Sequence, residues 1–128
     1  MLMTTDEARN LIQTGKWLHI AGNEGLLKVL PKGNWIGGST EYFMDQRDGG
    51  IVSGEKLFVT EIPYPTARIS VYGEENISDI TSDAYPNGFS IIILPFDSEV
   101  HKTYAKNAAD FKDIFIRNII GWVSGFNL

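Results

Sequence analysis

The residues able to do chemistry in this chain are few. His101 stands four residues after Asp97 and three after Ser98, just beyond the apolar run Phe89 to Leu94. Open α/β sheets place ligand crevices at the carboxyl ends of their strands, which makes Asp97 and His101 candidates for a site. An exposed cap or an i,i+4 helical contact is the other reading of the same spacing. Ser39 and Thr40 close a second group, Gly37-Gly38-Ser39-Thr40. Glycines within a strand pattern mark a bulge, a bend or a close approach of ligand or backbone, and hydroxyls beside a glycine wall can hydrogen-bond a small polar ligand. The stretch also reads as a bulged hairpin strand crossing close to a helix. Tyr42 follows with an aromatic body and a polar tip. The candidate ligand-binding residues are therefore Gly37, Gly38, Ser39, Thr40, Tyr42, Asp97 and His101, and none of them is singled out as catalytic.

Other chemistries find little support. The chain has no cysteine, which removes disulfides, thiolate metal sites and thiol nucleophiles together. His19 lies inside an apolar strand-length run, the only other histidine is His101, and the two are too far apart for a His-x-x-x-His pair. Glu74, Glu75, Asp79 and Asp83 lack the alternating acids and central glycine of a calcium loop and read as a solvated helix face. Gly37-Gly38-Ser39-Thr40 lacks the Gly-Lys-Ser/Thr ending of a phosphate loop and the spacing of a dinucleotide fingerprint. Asn76-Ile77-Ser78 matches the glycosylation pattern, which has no meaning without a secretory signal, and none is visible. We therefore expect no metal and no cofactor.

The formal net charge is -5 and the 11 Lys and Arg residues are scattered singly, a balance that repels phosphate backbones and anionic lipid surfaces. No run approaches 18 apolar residues. Nucleic acid and membranes are thus not expected as partners, and the reading is of a cytoplasmic protein. Two function classes remain: a module that binds or senses a small metabolite, and a hydrolase with Ser39 or Thr40 as nucleophile and His101 or His19 as base. A structural subunit of an assembly is a third possibility.

Residues Leu26 to Thr40, Leu-Leu-Lys-Val-Leu-Pro-Lys-Gly-Asn-Trp-Ile-Gly-Gly-Ser-Thr, resemble the helix, proline turn and glycine-glycine-Ser/Thr strand in the amino-terminal part of bacterial FIST sensory domains. The likeness covers about a tenth of the chain. It implies an α/β sensory or ligand-binding module for small metabolites such as amino acids, with the Gly37 to Thr40 strand near the pocket. The chain is shorter than those domains and carries Tyr42-Phe43-Met44 where their pattern has a glycine-acid turn.

Positioning these residues requires elements that the sequence also suggests. Thr4-Thr5-Asp6-Glu7 has capping-box spacing and opens a short helix through Leu11 and Ile12. Trp17 to Ala21 reads as a strand, and Asn23 can cap a helix carrying Leu26, Leu27 and Leu30. Trp35 to Met44 and Lys56 to Ile62 read as a long hairpin around Asp48-Gly49-Gly50. Ala67 to Tyr72 alternates like a half-buried strand, Glu74 to Ala84 has helical spacing, and Phe89 to Leu94 is apolar on both faces, as a central strand should be. A βαβ crossover would join these last three elements. Asp97 or Ser98 caps a helix through Phe111, and a second helix runs from Asp110 toward Trp122. The expected fold is α+β or mixed α/β: a single mixed sheet of about five strands covered by helices, without repeats.

At 128 residues the chain suits one domain spanning 1–128, either complete or the amino-terminal part of a longer protein. Its last helix is apolar nearly all round, with Ile114, Phe115, Ile119 and Trp122 in one stripe, and the chain finishes in Gly125-Phe126-Asn127-Leu128. Such a helix must be covered on more than one side, so a homo-oligomer, or packing against a missing continuation, is expected through that stripe.

Overall fold

Thr4 opens the first helix as its spacing requires. In the computed structural model, which describes residues 1–126, its hydroxyl accepts from the Glu7 N–H at 3.2 Å, and the Glu7 carboxylate reaches back to the Thr4 backbone. The helix, α1, spans Thr5–Gln13 and buries Ala8 and Ile12. The described chain divides into two compact units, one of Met1–Ile69 joined by Gly125 onward, the other Ser70–Ser124. Each is described by itself.

The first unit is built on a four-stranded mixed sheet. Its strands are β1 (Leu2–Met3), β2 (Trp17–Gly22), β3 (Trp35–Ser39) and, after a separate hairpin, β6 (Leu57–Ile62), in the spatial order β1-β6-β2-β3. β2 runs parallel to β3 and antiparallel to β6. Between β2 and β3 lies the short helix α2 (Glu24–Lys28), capped by Asn23 as expected. Alternate residues of β2 and β6, Leu18, Ile20, Leu57 and Val59, point to one face and join Met3, Ala8 and Ile12 in a core that α1 and the leucines of α2 cover.

The long hairpin takes a different form. The turn occupies Gln46 to Asp48 and leads into Gly49 at φ 72, but it joins β4 (Tyr42–Asp45) to β5 (Gly49–Val52) as a two-stranded sheet of its own. β3 and β6 do not pair with each other; each takes one edge of β2. The apolar run of β2 is satisfied on both edges and needs both partners, which a simple hairpin cannot supply. Phe43 of β4 stacks on Phe58 of β6 with ring centroids 6.0 Å apart.

In the second unit β7 (Ser90–Pro95) pairs, among the described residues, only with β8 (Ile119–Ser124), in parallel, across the intervening helix α3 (Glu99–Asn107). Ile92, Leu94, Ile119 and Val123 face a core with Ile77, Ile80 and Phe111, against which Val100 and Tyr104 of α3 pack. Three expectations give way here. Residues 67–72 form no strand, and Ile69 and Val71 are exposed; Pro63 and Pro65 remove donors just before them, and the alternation alone does not find an edge to join. The segment 74–84 forms only a 3₁₀ turn at Ile77–Ile80, because its short polar side chains bind their own backbone: Asn76 accepts from the Gly73 N–H, and Thr81 and Ser82 donate to the carbonyls of Ser78 and Asp79.

The terminal helix is the third. Asp113 turns left-handed at φ 62, only a 3₁₀ turn (Ile114–Ile116) follows, and the branched run around Gly121 extends as β8. The crossover therefore joins β7 to β8 through α3 rather than residues 67–72 to β7, and β7 is one strand of a pair, not the centre of a sheet. In place of a single five-stranded sheet there are, among the described residues, one mixed sheet of four strands and two of two strands. The α+β class stands.

Candidate functional site

The loops that leave the carboxyl ends of β2 and β3 come together in the first unit. Gly22 ends β2, and its carbonyl accepts from the Thr40 N–H at 3.0 Å, which closes the β2–β3 ladder. Asn23 then does two things. Its side-chain oxygen accepts from the Gly25 N–H at 2.8 Å, capping α2, and its amide donates to Oε1 of Glu41 at 2.7 Å. Glu41 is fixed at its backbone too, its carbonyl accepting from the Ser53 N–H at 2.8 Å. Thr40 Oγ1 accepts from the Tyr42 N–H at 3.2 Å, and the Ser39 carbonyl accepts from the Gly125 N–H at 2.9 Å. Ser39, Thr40 and Glu41 are half-buried and Tyr42 is exposed. The arrangement puts hydroxyls, an amide and a positioned carboxylate at one end of a parallel strand pair.

The two neighbouring glycines have unlike surroundings. β3 runs in unbroken register with β2, Ile20 opposite Gly37 and Ala21 opposite Gly38, so the bulge considered from sequence is absent. The glycines with left-handed backbone are Gly15, Gly49 and Gly125, and β3 contains none of them. Successive residues of a strand face opposite sides, so Gly37 and Gly38 cannot line the same wall. The Gly37 side is closed by Trp35, whose ring would lie 2.9 Å from a Cβ there and whose indole N–H donates to the Pro31 carbonyl at 2.9 Å. Gly38 is buried on the opposite face beside Ala21.

His19 shares that opposite face, between Thr60 of β6 and Ile36 of β3. Ser39 pairs with Gly22, whose side of the sheet is that of Leu18 and Ile20. The imidazole and the Ser39 hydroxyl thus start from opposite faces, at positions offset by three residue steps of β2, about 10 Å of strand. Burial pushes the His19 pKa below its usual 6.5. The unfolded chain therefore takes up the proton first: stability from this group is full above the usual value and declines as the pH falls below it. We expect the melting temperature to drop between about pH 7.5 and about pH 5.5, and His19→Gln to flatten that drop. Equal pH slopes for parent and variant in thermal melts would refute the assignment.

Asp97, Ser98 and His101 belong to the second unit, at the end of β7. Asp97 has φ 57, a left-handed conformation that aims its backbone N–H at His101 Nδ1, 3.0 Å away. The Asp97 carboxylate instead lies 3.6 Å from Lys102 Nζ. Ser98 is the α3 cap: its hydroxyl oxygen accepts from the His101 N–H at 3.1 Å and its O–H donates to the Pro95 carbonyl at 2.7 Å. The three residues thus make a helix-capping network in which the imidazole accepts from the Asp97 backbone N–H. Of the stripe proposed for self-association, Ile114 and Ile119 pack against the second core, Trp122 lies on β8, and Phe115 is exposed. Asn127 and Leu128 lie outside the described residues. Among the described residues no three His, Asp or Glu side chains are grouped to hold a metal ion, and no helix is long and apolar enough to cross a membrane.

Two features escaped the sequence reading. Glu41, the carboxylate held by Asn23, was not singled out, and its only advance signal was its place directly after Thr40. The other is a recurrence. Asn34-Trp35-Ile36-Gly37 and Asn118-Ile119-Ile120-Gly121 occupy equivalent places in two β-α-β pairs. Each asparagine carbonyl accepts from the first strand of its pair, from Leu18 at 2.9 Å and from Ser90 at 2.8 Å. Each side-chain amide donates to a glycine carbonyl just before that strand, Gly15 at 2.9 Å and Gly88 at 3.2 Å. Each glycine sits opposite an isoleucine whose carbonyl leaves no room for a Cβ.

These features define an α+β protein with two parallel β-α-β pairs, each clasped by an asparagine. Residues 3–128 match a family of unknown function (DUF6976), and the chain belongs to that family. No curated protein and no solved structure matches it. The family match does not extend to the FIST domains.

Proposed function

We propose that this protein binds a small polar metabolite at the carboxyl ends of β2 and β3 and serves as a ligand-binding or sensory module. The observation that carries the reading is the Asn23–Glu41 hydrogen bond of 2.7 Å, which ties the two strand-end loops together. It fixes a carboxylate on the loop that directly follows Ser39 and Thr40 in the chain, at the strand ends where open α/β sheets form ligand crevices. Such a ligand would present an ammonium or hydroxyl group to Glu41 and further polar atoms to the hydroxyls. Reactive chemistry is not needed for this role, and the opposite strand faces of His19 and Ser39 favour it over a hydrolase built on that pairing.

A thermal-shift screen against metabolites tests it, because a ligand that binds only the folded state raises stability in proportion to the logarithm of its concentration above Kd. Gly38→Val then locates the site. Gly38 has no left-handed backbone, so valine is compatible with its strand conformation, but the site is buried and the added isopropyl group is expected to cost about 1–3 kcal/mol; the variant that still folds is expected to lose the ligand response through the crowded strand end. A folded Gly38→Val protein that responds as the parent does would place the site elsewhere. A parent without response to any amine- or hydroxyl-bearing metabolite would end the proposal.

A further inference from the structure

The recurrence of the asparagine-clasped pair sets a comparison between the edges of β2 and β7. In the first pair, Leu18 donates to Asn34 and Gly22 accepts from Thr40, so the even residues of β2 turn their backbone groups toward β3. Trp17, His19 and Ala21 turn theirs the other way, onto β6, opposite Ile62, Thr60 and Phe58. The second pair has the same phase. Ser90 donates to Asn118 and Phe96 to Ser124, so the even residues of β7 face β8, and Ile91, Ile93 and Pro95 face outward. Among the described residues β7 has no counterpart of β6. Pro95 fits this position, since the N–H it lacks would have pointed away from the ladder.

We infer that the outward edge of β7 is an interface that pairs antiparallel with the same edge of a second copy of this chain. The first unit shows what satisfies such an edge: an antiparallel strand in the outward register. The strand that fits here is β7 itself. Placed across a twofold axis through Ile92, Ile91 lies opposite the partner's Ile93 and Ile93 opposite the partner's Ile91, which gives two hydrogen-bonded pairs and four bonds, ending where Pro95 has no donor. Phe89 to Phe96 carries no charge, so the twofold axis brings no like charges together despite the net charge of -5. The edge also lacks the lysine or inward-pointing charge with which single-chain sheets block such pairing, its only guard being the terminal proline. Pairing would turn two two-stranded sheets into one of four strands.

Sedimentation equilibrium of the full chain across the micromolar range, with Ile93→Pro as the variant, tests this. Proline at 93 removes an outward donor and leaves the β7–β8 ladder intact, and Pro95 shows that a proline is accommodated in this phase. The expected result is a concentration-dependent dimer for the parent and a monomer with unchanged circular dichroism for Ile93→Pro. A parent that stays monomeric at the top of the range overturns the inference, as does a folded Ile93→Pro that dimerises like the parent. Should the variant fail to fold, amide exchange in the parent decides. Exchange at Ile91 and Ile93 that slows as concentration rises supports the edge; exchange independent of concentration, or a dimer in which these amides stay unprotected, overturns it.

Discussion

Gly37→Ala is expected to destabilise the protein by about 3 kcal/mol, the upper part of the range for overpacking a close-fitted interior. A Cβ at this position would sit 2.5 Å from the Ile20 carbonyl oxygen and 2.9 Å from the Trp35 ring. The first contact is with backbone, so no rotamer relieves it. β3 would have to separate from β2, and the separation would break the ladder that runs from Leu18 opposite Trp35 to Gly22 opposite Ser39. The second contact would lift the indole from its bond to Pro31. Denaturant unfolding checks this. A Gly37→Ala protein within about 1 kcal/mol of the parent would mean that the two strands have slack that this packing does not show.

The second large effect is expected at Leu57. This side chain is fully buried at the centre of the first core, and Leu57→Ala should cost about 4 kcal/mol through lost transfer energy and the cavity left behind. It also touches Gly22, where a Cβ would meet Leu57 Cδ2 and lie 3.5 Å from its Cα. Gly22→Ala alone should therefore be destabilising. In the Leu57→Ala background the new methyl would occupy part of the vacated space, so the double variant should be more stable than the sum of the single effects predicts. Additive losses in a double-mutant cycle would show that the two positions do not share space.

Several elements are legible in the sequence itself. Thr4 and Glu7 specify α1 because a capping box is a local bond between residues three apart, and Asn23 caps α2 for the same reason. Asp48-Gly49 marks a turn because only a few residues accept positive φ. What could not be read was partner choice. Trp35 to Ser39 looks like half of a hairpin until β2 is found to need two edges, a fact that resides in a different part of the chain. The alternation at Ala67 to Tyr72 is as regular as that of β6, yet local pattern does not say whether an edge is on offer. β8 reads as helix because Ile114, Phe115, Ile119 and Trp122 fall in one stripe at helical spacing, and the feature that points to a strand is its likeness to Asn34 to Gly37. The candidate site was half legible. Ser39, Thr40 and the glycines drew attention by type, whereas Glu41 matters through its bond to Asn23, 18 residues away.

The strand order around β2 has a consequence for synthesis. β3 follows β2 closely, but β6, which closes the other edge, ends at Ile62, 23 residues after Ser39. At ribosomal rates of about 5–20 residues per second, a nascent β2–β3 pair waits on the order of one to five seconds with Trp17, His19 and Ala21 offering bare backbone to any passing chain. Slow codons between Thr40 and Lys56 would lengthen that window, and raising the translation speed there should increase the soluble fraction recovered from cells.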